Sequence, residues 1–263
     1  MKAIDLIQIM EKWAKPSLID DWDNTGFQIG NSQKDVKKVL IALDLDRKVL
    51  DIALKNSYDM IITHHPIIFR PLKNITSEDE KGKMILDIIK NDIVVYNAHS
   101  NLDMADRGVS HRLADVLGLM DKCILRTMTT EGEKNYGYGI VGNIEDIPLS
   151  KYLCIVKERL KADNIIVYGD TDIKINRVAV CGGSGGEFIY DAYESGADIY
   201  ITGDIKYHDA QLGYELGLVI VDGGHFNTEK MILPDIKKEL ENNIEEKIDI
   251  EVIMESSLPM ILY

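Results

Sequence analysis

The chain reads as an α/β protein built from two similar halves, each a mixed, largely parallel sheet covered by helices. Three observations predict this. Apolar runs of strand length alternate with segments of helical periodicity along most of the 263 residues, the pattern of a doubly covered sheet. Val39 to His65 lies against Val178 to Asp204 at a constant offset of 139 without a gap, and Val39/Val178, Ala53/Ala192, Asp59/Asp198, Ile62/Ile201 and Thr63/Thr202 are identical pairs. The order of elements also repeats: strand, helix, an Asp-x-x-Ile-Thr strand, a further β-rich run, then His-x-Asn-x-(Asp/Glu). Two such units packed about a pseudo-twofold would bring their strand ends together.

The first half predicts helix 2–15, strand 37–45, helix 47–57, strand 59–64, helix 79–91, strand 93–98 and helix 107–118. Pro16 ends the first helix, and Gly118 is placed to cap the last. Residues 120–135 lose periodicity and gather charge, so the linker is expected there, dividing the chain into 1–125 and 126–263. The second half predicts strand 136–144, helix 149–161, strands 164–169 and 177–182, helix 187–195 and strand 198–203. Helix 205–215, strand 218–222, helix 227–243 and strand 248–254 follow.

Composition bounds the function. Apolar residues are 45% and charged residues 28%, ordinary for a globular protein, and no apolar segment reaches membrane-spanning length. Asp5 and Glu11 interrupt the N-terminal apolar pattern, so no secretory signal is evident. Cys123, Cys154 and Cys181 are odd in number and widely spaced, which fits reduced thiols in a cytoplasm. Cys181 falls at a strand end and is expected to be a buried, inert thiol. A net charge of −14 repels nucleic acid on average, although Glu239-Leu240-Glu241 and Glu245-Glu246 concentrate part of the excess.

The candidate chemistry lies at strand ends. Met60-Ile61-Ile62-Thr63 runs into His64 and His65, and α/β sheets present functional groups at the carboxyl ends of their strands. Side chains alternate along a strand, so these two imidazoles are expected to serve two metals more readily than one. His99-Ser-Asn-Leu-Asp103 and His225-Phe-Asn-Thr-Glu229 each follow a β-rich run. A histidine and a carboxylate four apart share a face if the chain has turned helical, at roughly 6 Å of axial rise. Imidazole with carboxylate and no thiolate suits Zn, Mn or Fe; the alternative is two ordinary loops with helix caps. At the strand position of His64 and His65 the second half carries Gly203 and Asp204, so Asp204 and His208 are candidates for orienting ligands or handling protons. Cys181-Gly-Gly-Ser-Gly-Gly186 offers backbone N–H groups to an anion or makes a tight turn. Ser184 lacks a nucleophile-elbow sequence. Trp22-Asp-Asn24 reads as a buried Trp before a turn capped by Asp23 or Asn24.

With these motifs assembled, the chain resembles the Nif-three-like family, also described as type 2 homologues of GTP cyclohydrolase I. The resemblance rests on Trp22–Gly30, Ile62–Phe69, Asn97–Asp103, Cys181–Gly185, Ala197–His208 and Gly224–Glu229. It implies two divalent metal ions per subunit held by His64, His65, Asp103, His225 and Glu229, with His99 at the inner edge. It also implies two α/β halves, the short form without an inserted domain, and a homohexamer built as a trimer of dimers.

The activity expected is metal-dependent hydrolysis of a nucleotide-like substrate, with His99, Asp204 or His208 as proton carriers. The alternatives are a nucleic-acid-binding or regulatory scaffold with structural metals, and a metal-storage or delivery protein.

Overall fold

The computed structural model describes residues 1–256 and 258. The chain forms two compact units, Met1–Leu102 together with the segment from Leu233 onward, and Asp103–Ile232. Helix α1 (Ala3–Trp13) buries Leu6, Ile7 and Met10. Strand β1 (Gly26–Ile29), not expected from sequence, is too short and too exposed to show a period. Then come β2 (Lys38–Ala42), α2 (Arg47–Lys55), β3 (Met60–Thr63), α3 (Glu80–Lys90) and β4 (Val94–Asn97), leading into α4 (Ser100–Met104). The α2 and α3 N-termini are capped by Asp46 and Asp79, whose carboxylates accept from Val49 N–H and Gly82 N–H. β2, β3 and β4 pair in parallel, and β1 adds antiparallel to β4. The three parallel strands are apolar on both faces because each face is covered. Leu40, Ala42, Ile61 and Val95 pack under α2 and α3, while Val39, Ile41, Met60 and Val94 are equally buried.

The second unit begins with α5 (Val109–Leu117), capped by Gly118 at φ 81°. Next come β5 (Met120–Glu131) and β6 (Lys134–Pro148), a long antiparallel hairpin. Sequence reading expected a linker here. β5 is exposed or half-buried throughout, so it carries no apolar alternation to betray it. The overlooked signal is the turn: Glu131 pairs with Lys134 across Gly132-Glu133, and Gly132 sits at φ 62°. Helix α6 (Leu149–Leu160), β7 (Ile166–Tyr168), β8 (Lys174–Ser184), α7 (Ile189–Glu194), β9 (Ile199–Gly203), α8 (Tyr207–Glu215), β10 (Val219–Asp222) and α9 (His225–Glu229) complete this unit. The strand order is β5-β6-β8-β9-β10-β7. Only β8-β9 and β9-β10 are parallel, so this sheet is mixed rather than largely parallel. Val178, Val180, Ile199, Ile201 and Val221 face one core; Ala179, Cys181, Tyr200 and Ile220 face the other.

The chain then returns to the first unit through α10 (Leu233–Asn243) and β11 (Asp249–Val252), which pairs in parallel with β2. The units are therefore not the contiguous stretches 1–125 and 126–263, because the last strand completes the first sheet in the order β1-β4-β3-β2-β11. The helix expected at 227–243 is broken after Glu229 by a 3-10 turn, Lys230–Ile232. Pro234 sits in the first turn of α10, where its missing N–H is tolerated, but its ring crowds the turn before it, so the helix does not continue back through it to Glu229.

The offset of 139 recurs in the hydrogen bonding. Val39 faces Met60 as Val178 faces Ile199. The Asp59 carboxylate accepts from Lys37 and Lys38 N–H at 2.8 and 3.1 Å, and Asp198 accepts from Asn176 and Arg177 N–H at 2.8 and 2.9 Å. Each sheet also carries an antiparallel strand at the edge of its parallel set, β1 beside the four strands β4-β3-β2-β11 and β7 beside the three strands β10-β9-β8. Among the described residues no helix is long and apolar enough to cross a membrane.

Candidate metal centre

In the first unit three imidazoles gather at the carboxyl ends of β3 and β4. The His64 and His65 rings lie 4.9 Å apart, and His99 is 5.2 and 5.4 Å from them. One ring nitrogen from each falls within 4.8 Å of the others. The expected divergence of His64 and His65 does not occur, because β3 stops at Thr63 and strand alternation stops with it. The Thr63 hydroxyl donates to the His65 carbonyl at 2.7 Å, and His65 N–H donates to the Leu43 carbonyl at 3.0 Å.

Each ring is oriented through Nδ1. His64 Nδ1 meets the Ala98 carbonyl at 2.8 Å, His65 Nδ1 the Asp44 carboxylate at 2.8 Å, and His99 Nδ1 the Asp23 carboxylate at 2.9 Å. A carbonyl or ionised carboxylate only accepts, so Nδ1 carries the hydrogen and Nε2 keeps its lone pair. This is the usual arrangement of metal-binding histidines, each held by an outer acceptor. Asp44 was not anticipated; it lies two residues past the end of β2 as His65 lies two past the end of β3, and the His65 N–H to Leu43 carbonyl bond keeps the two segments together. The Asp23 side chain is fully buried. Burial alone raises a carboxyl pKa, but hydrogen bonds from His99, Thr25 and Ser100 outweigh it and draw Asp23 well below the ordinary range. Trp22, expected to be buried, is 59% exposed, since it is the Asp23 side chain that turns inward.

In the second unit α9 brings His225 and Glu229 onto one face, with Nε2 and Oε2 3.0 Å apart. His225 Nδ1 meets the Asp204 carboxylate at 2.7 Å. Asp204 adopts a left-handed backbone at φ 55°, which Asp tolerates better than most residues. Its role is thus to orient His225. Glu229 is buried at 4% exposure, and a carboxylate oxygen of Asp103, on α4, lies within 4.8 Å of one of its own. Two ionised carboxylates at that spacing repel by about 3 kcal/mol at an effective dielectric near 20, which a bound cation relieves. The donor chemistry fits a divalent ion of the Zn, Mn or Fe type.

The glycine run Gly182-Gly183 serves this packing. A Cβ on Gly183 would lie 2.1 Å from Glu229 Oε1, and one on Gly203 would lie 2.6 Å from His225 N. The N–H groups of Gly182, Gly183 and Gly185 are engaged by the hydroxyls of Ser110, Thr228 and Thr202, so the run is a packing surface rather than an anion cradle. Ser184 is exposed. Cys181 is buried and its thiol is pushed up to about 12, first by burial and then by the charge of Asp103. His208 lies exposed at the start of α8 with its ring against Tyr207.

The two histidine motifs are not equivalent in register. Ala98 N–H donates to Thr63 O as Gly223 N–H donates to Thr202 O, so the counterpart of His99 in the second unit is Gly224, one residue before His225. The shared spacing therefore places His99 among the imidazoles of its own unit and His225 on a helix.

The family model described as Duf34/NIF3 (NGG1p interacting factor 3) matches residues 1–259. A Clostridium acetobutylicum protein named GTP cyclohydrolase 1 type 2 homolog is 38% identical over 242 residues, covering 92% of this chain and 90% of its own length. The crystal structure of a Bacillus cereus protein related to NIF3 is 27% identical with a TM-score of 0.93, covering 100% of this chain and 99% of that one. Reduced HcgD from Methanocaldococcus jannaschii is 33% identical with a TM-score of 0.83, covering 96% and 97%. With a family model spanning nearly every residue and relatives this similar along their whole length, the chain belongs to the Duf34/NIF3 family.

Proposed function

We propose that His64 and His65, together with Asp103, His225 and Glu229, hold two divalent ions, and that the protein is a metal-dependent hydrolase of a nucleotide-like substrate. The observation that carries this reading is the orientation of the imidazoles, each tied by Nδ1 to a carbonyl or carboxylate so that Nε2 is presented as a ligand. Ions bound in such a site supply Lewis acidity and lower the pKa of water toward neutrality. Asp44 and Asp204 fix the tautomers of His65 and His225. His99, backed by buried Asp23, is the best placed proton carrier of the three candidates, since Asp204 is engaged by His225 and His208 faces solvent. The matching strand registers support an internal duplication. The three free cysteines fit a reducing cytoplasm, and the family resemblance points to a homohexamer.

The test is a hydrolysis screen of nucleotides and phosphodiesters with protein loaded with Mn, Fe or Zn, followed by identification of the product. Ring opening or phosphate release that is lost in Asp103→Asn supports the reading. Metal-loaded protein that turns over nothing on the panel contradicts it.

A further inference from the structure

Two aromatic rings stand in water beside the imidazole cluster. Trp22 is 59% and Phe69 42% exposed. Their centroids are 6.0 Å apart and lie 5.9 and 6.2 Å from the His99 ring. The interplanar angles are 63°, 85° and 79°, so none of these three contacts is a parallel stack. From this arrangement we propose that Trp22 and Phe69 form an angled aromatic platform for the planar base of a nucleotide, one ring stacking on its face while the other meets its edge. The proposal deepens the hydrolase reading and rests on it for the placement of the reacting group near His99.

The platform is held rigidly. Asp23, next to Trp22, accepts from the Ser100 hydroxyl at 2.7 Å and its N–H at 3.2 Å, and it holds His99 Nδ1. Asp20 N–H donates to the same Ser100 hydroxyl at 3.2 Å, and Asp23 N–H donates to the Asp20 carbonyl at 2.9 Å. The Asn24 amide bonds the Ile68 carbonyl, joining the Trp22 turn to the segment carrying Phe69. The turn that carries Trp22 is thus fixed on either side of the ring, so the ring is held in place beside His99. Beside it, the Asn24 amide also donates to Gln28 Oε1 at 3.4 Å and the Gln28 amide donates to the Asn24 carbonyl at 2.7 Å, which stiffens the turn further. The two rings expose roughly 200 Å² together, far below the roughly 800 Å² per partner of a stable protein interface. That area matches one stacked heterocycle. Every base has a π-face, so stacking tolerates base identity.

The test uses the full-length protein, metal-loaded and chelator-treated, titrated with adenosine, guanosine, GMP and ribose 5-phosphate by calorimetry and tryptophan fluorescence. Trp13 is buried at 9% exposure, so quenching of the exposed emission reports Trp22. The nucleosides and GMP are expected to quench it, and Trp22→Ala and Phe69→Ala to weaken their binding about 5- to 150-fold each, with metal content unchanged. Ribose 5-phosphate, having no base, is expected to bind equally to wild type and variants. Nucleosides that bind the variants as tightly as wild type, or fail to quench wild type, overturn the proposal while leaving the metal reading intact. Metal-loaded protein that binds the nucleosides and is quenched by them, yet hydrolyses no nucleotide, keeps the platform and sinks the hydrolase reading instead. A changed oligomeric state in Trp22→Ala with nucleoside affinity untouched assigns the rings to a contact between copies, which also overturns it.

Discussion

Replacing Gly183 by Ala probes the packing that seats Glu229. The backbone there is left-handed, at φ 66°, which costs a residue with a Cβ about 1–2 kcal/mol. The new methyl would also fall 2.1 Å from Glu229 Oε1 and 3.4 Å from His225 Nε2, so the buried carboxylate has to turn away and its 3.0 Å contact with His225 is lost. Gly217→Ala is the matched control: its φ is 72°, and a Cβ there meets nothing within 4 Å. The control isolates the backbone cost, about 2–8 °C in Tm for a chain of this size. Both variants are assayed by elemental analysis and by thermal denaturation with and without chelator, since a ligand of the native state raises Tm by mass action. Gly217→Ala is expected to keep its metal and the full chelator-dependent drop in Tm. Gly183→Ala is expected to melt lower still, to purify depleted of metal and to ignore chelator. Equal metal content in the two variants would refute the assignment of Glu229 as a ligand seated by Gly183.

Other consequences follow from the same geometry. Asp204→Asn removes the negative acceptor that holds His225 Nδ1 and should weaken metal affinity about 10- to 100-fold, read by competition with a fluorescent chelator. Cys181 is buried with its thiol pushed up to about 12, whereas Cys123 and Cys154 are exposed; thiol titration at pH 8 should find two reactive groups in native protein and three after denaturation. Burial holds the His111 pKa below the ordinary imidazole value of 6.5, so the unfolded chain takes up a proton there before the folded one does. The associated stability is full above about pH 6.5 and is lost as pH falls through the lowered folded value. His111→Gln should therefore flatten the acid side of the curve of urea midpoint against pH; an unchanged slope contradicts this.

Much of the fold is legible because the central strands are short apolar runs buried on both faces. Met60–Thr63 and Ile199–Gly203 read as strands from composition alone, and the offset of 139 that aligns them in sequence also aligns their hydrogen bonds. What escaped lacks that signal. β5 buries no residue fully, only Ile124 and Leu125 packing in part against the two cores, and β1 spans four residues. The return of β11 to β2 is a long-range pairing that no local pattern encodes. Of the proposed ligands, His64, His65, His225 and Glu229 announce themselves by type and spacing. Their outer acceptors do not: Asp23 and Asp44 resemble ordinary turn carboxylates until Nδ1 of His99 and His65 is seen resting on them. Trp22 was misplaced for the same reason, since an aromatic before a turn is usually core.

The most direct test of the central claim is the count of metal ions per chain after loading with Zn or Mn and removal of excess, in wild type and in Glu229→Gln. Two ions per wild-type chain, with the variant losing them, is the expected result. A wild-type protein that binds none, or a variant that retains both, contradicts the account.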